Sequence, residues 1–172
     1  MGNYAKIKTL DVANGEGIRT SVFFSGCEFR CKGCFNSDIS NFNVGQPCGD
    51  KMYHEIALSM NDHIAGISIL GGEPLHPRNI DDVYTLCATF KKQFPDKTIW
   101  LWTGSTWEEL MNRRGYSFRI TMAILHMVDV LVDGRYIQDQ RDLTLKWRGS
   151  RNQRVIDVQE SLQQGEVVKY CK

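Results

Sequence analysis

The sequence predicts an open, partial α/β barrel, and three observations lead there. Apolar runs of strand length at residues 19–25, 64–70, 98–102 and 128–132 alternate with stretches whose apolar residues recur at helical spacing. Strands joined through helices pair in parallel. The chain has 172 residues, fewer than the ~250 of a closed eight-stranded barrel, so the sheet should stay open. That length suits one domain, residues 1–172, with a substantial core.

Taken in order, residues 4–10 read as a short edge strand, and Asn14-Gly15-Glu16-Gly17 is a loop with strong turn chemistry. Residues 19–25 follow as a buried strand around Val22-Phe23-Phe24. Residues 36–49 are polar and broken by Gly45 and Pro47. Asp50 is the expected N-cap of a helix whose buried face is Tyr53, Ile56, Ala57 and Met60. After the strand at 64–70, Ile80, Val83, Cys87, Phe90 and Phe94 mark a second helix that Pro95 closes. The strand at 98–102 ends at Thr103-Gly104. Thr106 and Glu109 then have the spacing of a capping box, and helical pattern runs to about His126. The strand at 128–132 turns at Asp133-Gly134, and residues 155–172 read as one or two terminal strands.

The first strand delivers the chain into Ser25-Gly26-Cys27-Glu28-Phe29-Arg30-Cys31-Lys32-Gly33-Cys34-Phe35-Asn36. A cubane iron-sulfur cluster held entirely by protein takes four thiolates. Cys27, Cys31 and Cys34 supply three, which leaves one iron open for chemistry. Gly26 and Gly33 allow a tight loop close to the inorganic core, and Arg30 and Lys32 place positive charge near the thiols. Two other readings stay open on spacing alone. Positions 27, 31 and 34 also match the buried stripe of an amphipathic helix, although the two glycines oppose a helix. The same cysteines with Cys48 or His54 would make a structural zinc site. Cys48, Cys87 and Cys171 have no motif around them, and Cys87 reads as core. The four histidines are scattered and read as structural or solvated.

Gly71-Gly72-Glu73-Pro74, at the end of the next strand, is by itself an ordinary turn. Backbone without side chains nevertheless lets carbonyls reach a cationic amine, and Glu73 adds an acceptor. Near the C-terminus, the basic run from Leu145 to Arg154 is most simply a solvated loop. Arg148, Arg151 and Arg154 beside Trp147 are also suited to grip carboxylates or a partner's carbonyls.

The spacing Cys27-x3-Cys31-x2-Cys34 resembles the signature of the radical S-adenosylmethionine enzymes, and Gly71-Gly72-Glu73-Pro74 resembles the edge that holds that cofactor's ammonium group. An aromatic residue most often precedes the last cysteine in that family. Here Gly33 stands there and Phe35 follows instead, an arrangement that resembles the anaerobic (class III) ribonucleotide reductase activating enzymes, as does Trp147-Arg148-Gly149-Ser150-x-Asn152-Gln153-Arg154. The resemblance spans residues 14–154. It implies a partial (βα) barrel of the radical S-adenosylmethionine type, with a 4Fe-4S cluster held by Cys27, Cys31 and Cys34. It also implies cofactor binding at Gly33, Cys34, Phe35, Gly71, Gly72 and Glu73, and no side chain acting as acid or base. The implied reaction is reductive cleavage of S-adenosylmethionine to methionine and a 5'-deoxyadenosyl radical, which takes hydrogen from a glycine in the large subunit of the anaerobic reductase. Arg148, Arg151 and Arg154 would serve that partner. The electron would come from a donor such as flavodoxin. A formate-lyase activator or a deazaguanine synthase would share the first two motifs, and a non-enzymatic zinc module only the cysteines.

Composition narrows the partners. Lys plus Arg total 21 against 20 Asp plus Glu, a net charge of +1, so nothing points to nucleic acid. No apolar run approaches a membrane span. The first residues lack an apolar core of signal-peptide length, and Lys6 breaks the myristoylation pattern that Gly2 opens. A cytosolic location is expected, where cysteines serve as ligands or packed thiols rather than disulfides.

Overall fold

The computed structural model describes residues 1–170, so Cys171 lies outside the described residues. Its elements in chain order are β1 (Asn3–Asp11), β2 (Ile18–Phe24), β3 (Gln46–Pro47), α1 (Asp50–Ser59), β4 (Ile64–Gly71), α2 (Ile80–Gln93), β5 (Thr98–Trp102), α3 (Trp107–Met111), α4 (Gly115–Leu125), β6 (Val130–Asp133), β7 (Arg154–Asp157), α5 (Val158–Gln164) and β8 (Val168–Lys169). The strands form one open eight-stranded sheet in the order β3-β1-β2-β4-β5-β6-β7-β8. Only the central four, β2, β4, β5 and β6, are parallel. The outer strands pair antiparallel, so the sheet is mixed, and β1 is shielded from the edge by the two residues of β3.

Strand alternation divides the core into two unlike faces. Val22, Phe24, Ile67, Ile69, Ile99, Leu101, Leu131 and Ile156 point to one face, where Met52 and Ile56 of α1, the apolar stripe of α2 and Ile120 and Ile124 of α4 pack on them. Cys87 is fully buried there, as its helical position implied. The opposite face carries Trp100, Val130, Val132 and Val155 in one cluster and Phe23 and Leu70 in another. Between them lie polar groups that no period could have announced. Arg19, 1% exposed, donates to Ser68 Oγ at 2.8 Å and to the carbonyls of Ile67 and Thr98 at 2.8 and 2.9 Å, with its guanidinium over the Trp100 ring. A buried charge persists only when its donors are satisfied in this way.

Two expectations need correction at element ends. Asp50 is the first helical residue rather than the cap; Gly49 occupies the cap and offers no side chain, leaving the Asp50 carboxylate in the first turn, where the helix dipole favours it. The C-terminal stretch contains a helix as well as strands. Asp157 accepts from the Glu160 N–H at 3.0 Å to start α5, and left-handed Gly165 ends it. The capping box of α3 has both reciprocal bonds, Glu109 N–H to Thr106 Oγ1 at 3.2 Å and Thr106 N–H to Glu109 Oε2 at 2.9 Å. Among the described residues no helix is long and apolar enough to cross a membrane.

Candidate active site

Parallel strands present their C-terminal ends on one side of a sheet, and the loops there are the usual place for chemistry. The loops after β2, β4, β5 and β6 meet on that side around a cavity of about 480 Å³, and Cys27, Cys31, Cys34, Glu73 and Arg148 are in its wall. The cysteine stretch runs in loops and turns with no α-helix, which removes the amphipathic-helix reading. Gly26 and Gly33 have φ of 91° and 71°, in the left-handed region. A Cβ on Gly26 would stand 1.9 Å from the Phe42 ring, so the glycine is fixed by packing as well as by conformation.

The cysteine and Gly-Gly-Glu-Pro loops are bound to each other. Gly72 N–H donates to Phe24 O and Glu73 N–H to Gly26 O, each at 2.8 Å. The buried Asn79 amide donates to Ser25 O at 2.9 Å and to Glu73 O at 3.0 Å, and Asn36 donates to Gly71 O at 3.2 Å. Gly72 also has a packing role between the two loops. Its Cβ would meet Gly26 O at 2.3 Å, so the close approach is between the two protein loops; the positive φ, 121°, belongs to Gly71.

Glu73 is buried, and its carboxylate accepts from Thr103 Oγ1 at 2.6 Å, Gly104 N–H at 2.7 Å and Leu75 N–H at 3.0 Å. Burial pushes its pKa up, against the lowering effect of those donors. A carboxylate has about four acceptor sites, so one remains for the cavity while the others tie the loops after β4 and β5 together. In sequence Thr103 and Gly104 read only as the end of the strand at 98–102. The usable signal was their position, at the end of a parallel strand beside Glu73's.

Burial pushes the Cys27 thiol up to about 11 and the Cys31 thiol up as well. Backbone N–H groups of Phe29 and Tyr136 face these two sulfurs and oppose the rise. The cation that favours a Cys31 thiolate is Arg135, not Arg30 or Lys32. Thiols that ligate a metal give up their protons on binding it. The donor set fits an iron-sulfur cluster. Among the described residues no three His, Cys, Asp or Glu side chains converge as ligands of one ion would. A cubane instead takes one thiolate at each of several irons, with N–H donors to sulfur tuning it. Cys48 and Cys87 are buried with thiols pushed by burial up to about 12, and neither lines the cavity. Phe35 does, 58% exposed, with its ring on Tyr136 and the Arg141 guanidinium.

The three arginines read together in the sequence are separated in space. Arg154 is bound to Asp133 and Glu108, Arg151 is exposed, and Arg148 lines the cavity.

Comparison with known proteins agrees with this geometry. The family model described as "4Fe-4S single cluster domain" matches residues 13–156. The anaerobic ribonucleoside-triphosphate reductase-activating protein of Escherichia coli (strain K12) is 39% identical over 154 residues, 88% of this chain and 96% of that one. The protein of that name from Vibrio cholerae is 41% identical over 154 residues, 88% and 95% of the two chains. Its counterpart from Enterobacteria phage T4 is 36% identical over 156 residues, 89% and 92%.

Proposed function

Since the chain belongs to the family of anaerobic ribonucleoside-triphosphate reductase-activating proteins and carries a 4Fe-4S single cluster domain, we propose that it generates a glycyl radical on the large subunit of the anaerobic reductase. In this reading it is a radical S-adenosylmethionine enzyme built as a single domain on a partial barrel and working in the cytoplasm, with a donor such as flavodoxin supplying electrons. The observation that carries the reading is the convergence of three thiols, Glu73 and the Gly71-Gly72 backbone on one cavity at the ends of β2 and β4.

When bound, the cluster and S-adenosylmethionine supply a one-electron reductive cleavage whose product takes a hydrogen atom from a glycine of the partner. The chain's own residues hold and orient. Cys27, Cys31 and Cys34 would hold the cluster, and Gly33, with its left-handed φ, lets their loop turn. The free acceptor site of Glu73 would take the cofactor's ammonium, while the Asn79 and Asn36 hydrogen bonds tie that edge to the cluster loop. Phe35 and Tyr136, whose rings meet at a tilt in the cavity wall, would offer aromatic surface to the adenine. The cavity is open on the Phe35 and Leu143 side, both exposed, which suits a substrate that is a loop of another protein.

Electron paramagnetic resonance tests the proposal. Anaerobically reconstituted protein, S-adenosylmethionine, reductant and the large reductase subunit together should give a glycine-centred signal. Turnover of a small molecule with no such signal would favour a deazaguanine synthase instead.

A further inference from the structure

The loop after β6 lies along the cysteine stretch. The Arg135 guanidinium stands over the Phe29 ring, 4.6 Å from its centroid, and the Tyr136 N–H faces the Cys31 sulfur. The Tyr136 ring meets that of Phe35 at 5.3 Å. A Cβ on Gly33 would fall 1.5 Å from Gln138 Oε1, so the Gln138 amide fills the space that a side chain at 33 would need. Residues 135, 136 and 138 thus brace the stretch from Phe29 to Phe35, and in doing so they hold one guanidinium beside Cys31.

A second cavity borders this contact, and Phe29, Glu109 and Arg135 are in its wall. Of the three cysteines of the stretch only Cys31 reaches it. Arg154, Asp133 and Glu108, also in that wall, are bound to one another. Arg135 pairs instead with Glu109, at 3.3 Å and with both side chains about half exposed, so its charge is only partly offset. Glu109 is fixed in turn by the α3 capping box, in which its other carboxylate oxygen accepts from the Thr106 N–H at 2.9 Å.

We propose that Arg135, pinned on Phe29 and partly neutralised by Glu109, sets the reduction potential of the cluster held at Cys27, Cys31 and Cys34. The inference rests on the reading of those cysteines as cluster ligands and deepens it. Reduction by a one-electron donor adds one negative charge to the cluster and makes or breaks no bond. Net charge, hydrogen bonds to sulfur and exposure govern such potentials. A cation beside Cys31 stabilises the form with the extra electron and so raises the potential. Glu109 opposes it, which gives the two members of one ion pair effects of opposite sign.

The test is a redox titration of anaerobically reconstituted full-length protein with dithionite and mediators, without S-adenosylmethionine or the reductase, reading the reduced cluster by electron paramagnetic resonance. Arg135→Gln should lower the reduced-to-oxidised ratio at the parent's midpoint by roughly tenfold, a shift of about 59 mV to lower potential for a one-electron couple. Glu109→Gln should shift the midpoint the other way, and it keeps the capping box because glutamine serves at that position. Arg135→Lys, which keeps the charge, should titrate close to the parent. If Arg135→Gln fails to hold iron, the Glu109→Gln and Arg135→Lys titrations decide the matter alone. An unchanged midpoint in a Gln variant, a shift of the same sign in both, or an Arg135→Lys midpoint as low as that of Arg135→Gln overturns the role given to Arg135. A reconstituted parent that shows no reduced 4Fe-4S signal overturns the underlying reading and this inference with it.

Discussion

Replacing Arg154 with alanine should destabilise the protein by about 3 kcal/mol, because it strands a buried charge. Asp133, at the end of β6, is 1% exposed. Its carboxylate accepts from Arg154 Nε at 3.0 Å, Arg154 Nη2 at 2.5 Å and the Trp107 N–H at 2.7 Å. Removing the guanidinium leaves only the last donor. Breaking a buried pair from one side costs about 3–5 kcal/mol, whereas an exposed pair is worth about 0–1 kcal/mol. The lower end applies because Arg154 is itself 29% exposed. Its second partner, Glu108, is largely exposed and adds little, although the Arg154 hydrogen bond holds its carboxyl at about 2. Urea melts of the metal-free protein under reducing conditions provide the assay. Arg154→Ala should lower the midpoint with the slope unchanged, Glu108→Ala should cost less than about 1 kcal/mol, and Asp133→Asn with Arg154→Leu should recover most of the loss. An Arg154→Ala midpoint equal to the parent's, combined with failure to activate the reductase, would refute the ion-pair argument and return Arg154 to a partner-gripping role.

The cluster ligands are tested by serine substitution: Cys27→Ser, Cys31→Ser and Cys34→Ser should each abolish the brown iron-sulfur absorption of reconstituted protein, whereas Cys48→Ser and Cys87→Ala should keep it. Gly72→Val should disturb both loops, lowering iron content as well as cofactor binding, since its Cβ meets Gly26 O at 2.3 Å; normal iron content in that variant would show that the loops separate freely. Asp11 should govern acid stability. Burial alone would raise its pKa, but hydrogen bonds from Ser21, Asn14, the Ala13 N–H and Lys8 outweigh it and hold the carboxyl at about 2, below the ordinary 3.8. A depressed carboxyl contributes stability that is complete above about pH 4 and lost as pH falls toward 2, here about 2 kcal/mol. Urea midpoints between pH 2 and 6 should fall less steeply in Asp11→Asn than in the parent, and equal slopes would exclude Asp11 as the source.

The order of strands and helices was legible because burial imposes a period, and the apolar runs at residues 19–25, 64–70 and 98–102 sit close to β2, β4 and β5. The helix α5 was not, because seven residues offer too few turns for a stripe and its start depends on one cap, Asp157. The antiparallel flanks were illegible for another reason: pairing direction in β7 and β8 follows from where a short connection can reach, which apolar pattern does not encode. Arg19 read as the first residue of a strand, and only the assembled sheet shows it satisfied by the carbonyls of two neighbouring strands.

The cysteines and Gly-Gly-Glu-Pro were legible because the same chemistry demands the same residue types at short spacing. The groups that join them were not, because their partners lie far away in the chain. Asn79 is 54 residues from the Ser25 carbonyl it holds, and Thr103 is 30 from Glu73. A motif names what touches the cofactor; the distance between two motifs is set by hydrogen bonds that look like turn chemistry in sequence. The spacing of the cysteine and Gly-Gly-Glu-Pro loops therefore depends on Asn79, Asn36 and Thr103. The same reasoning separates the three arginines. In sequence all three read as partner-gripping donors, but Arg154 enters β7 beside Asp133 while Arg148 precedes it in a loop pinned by Trp102 and Gln153. Backbone direction at those points, not residue type, assigns one guanidinium to the fold and leaves the other facing the cavity.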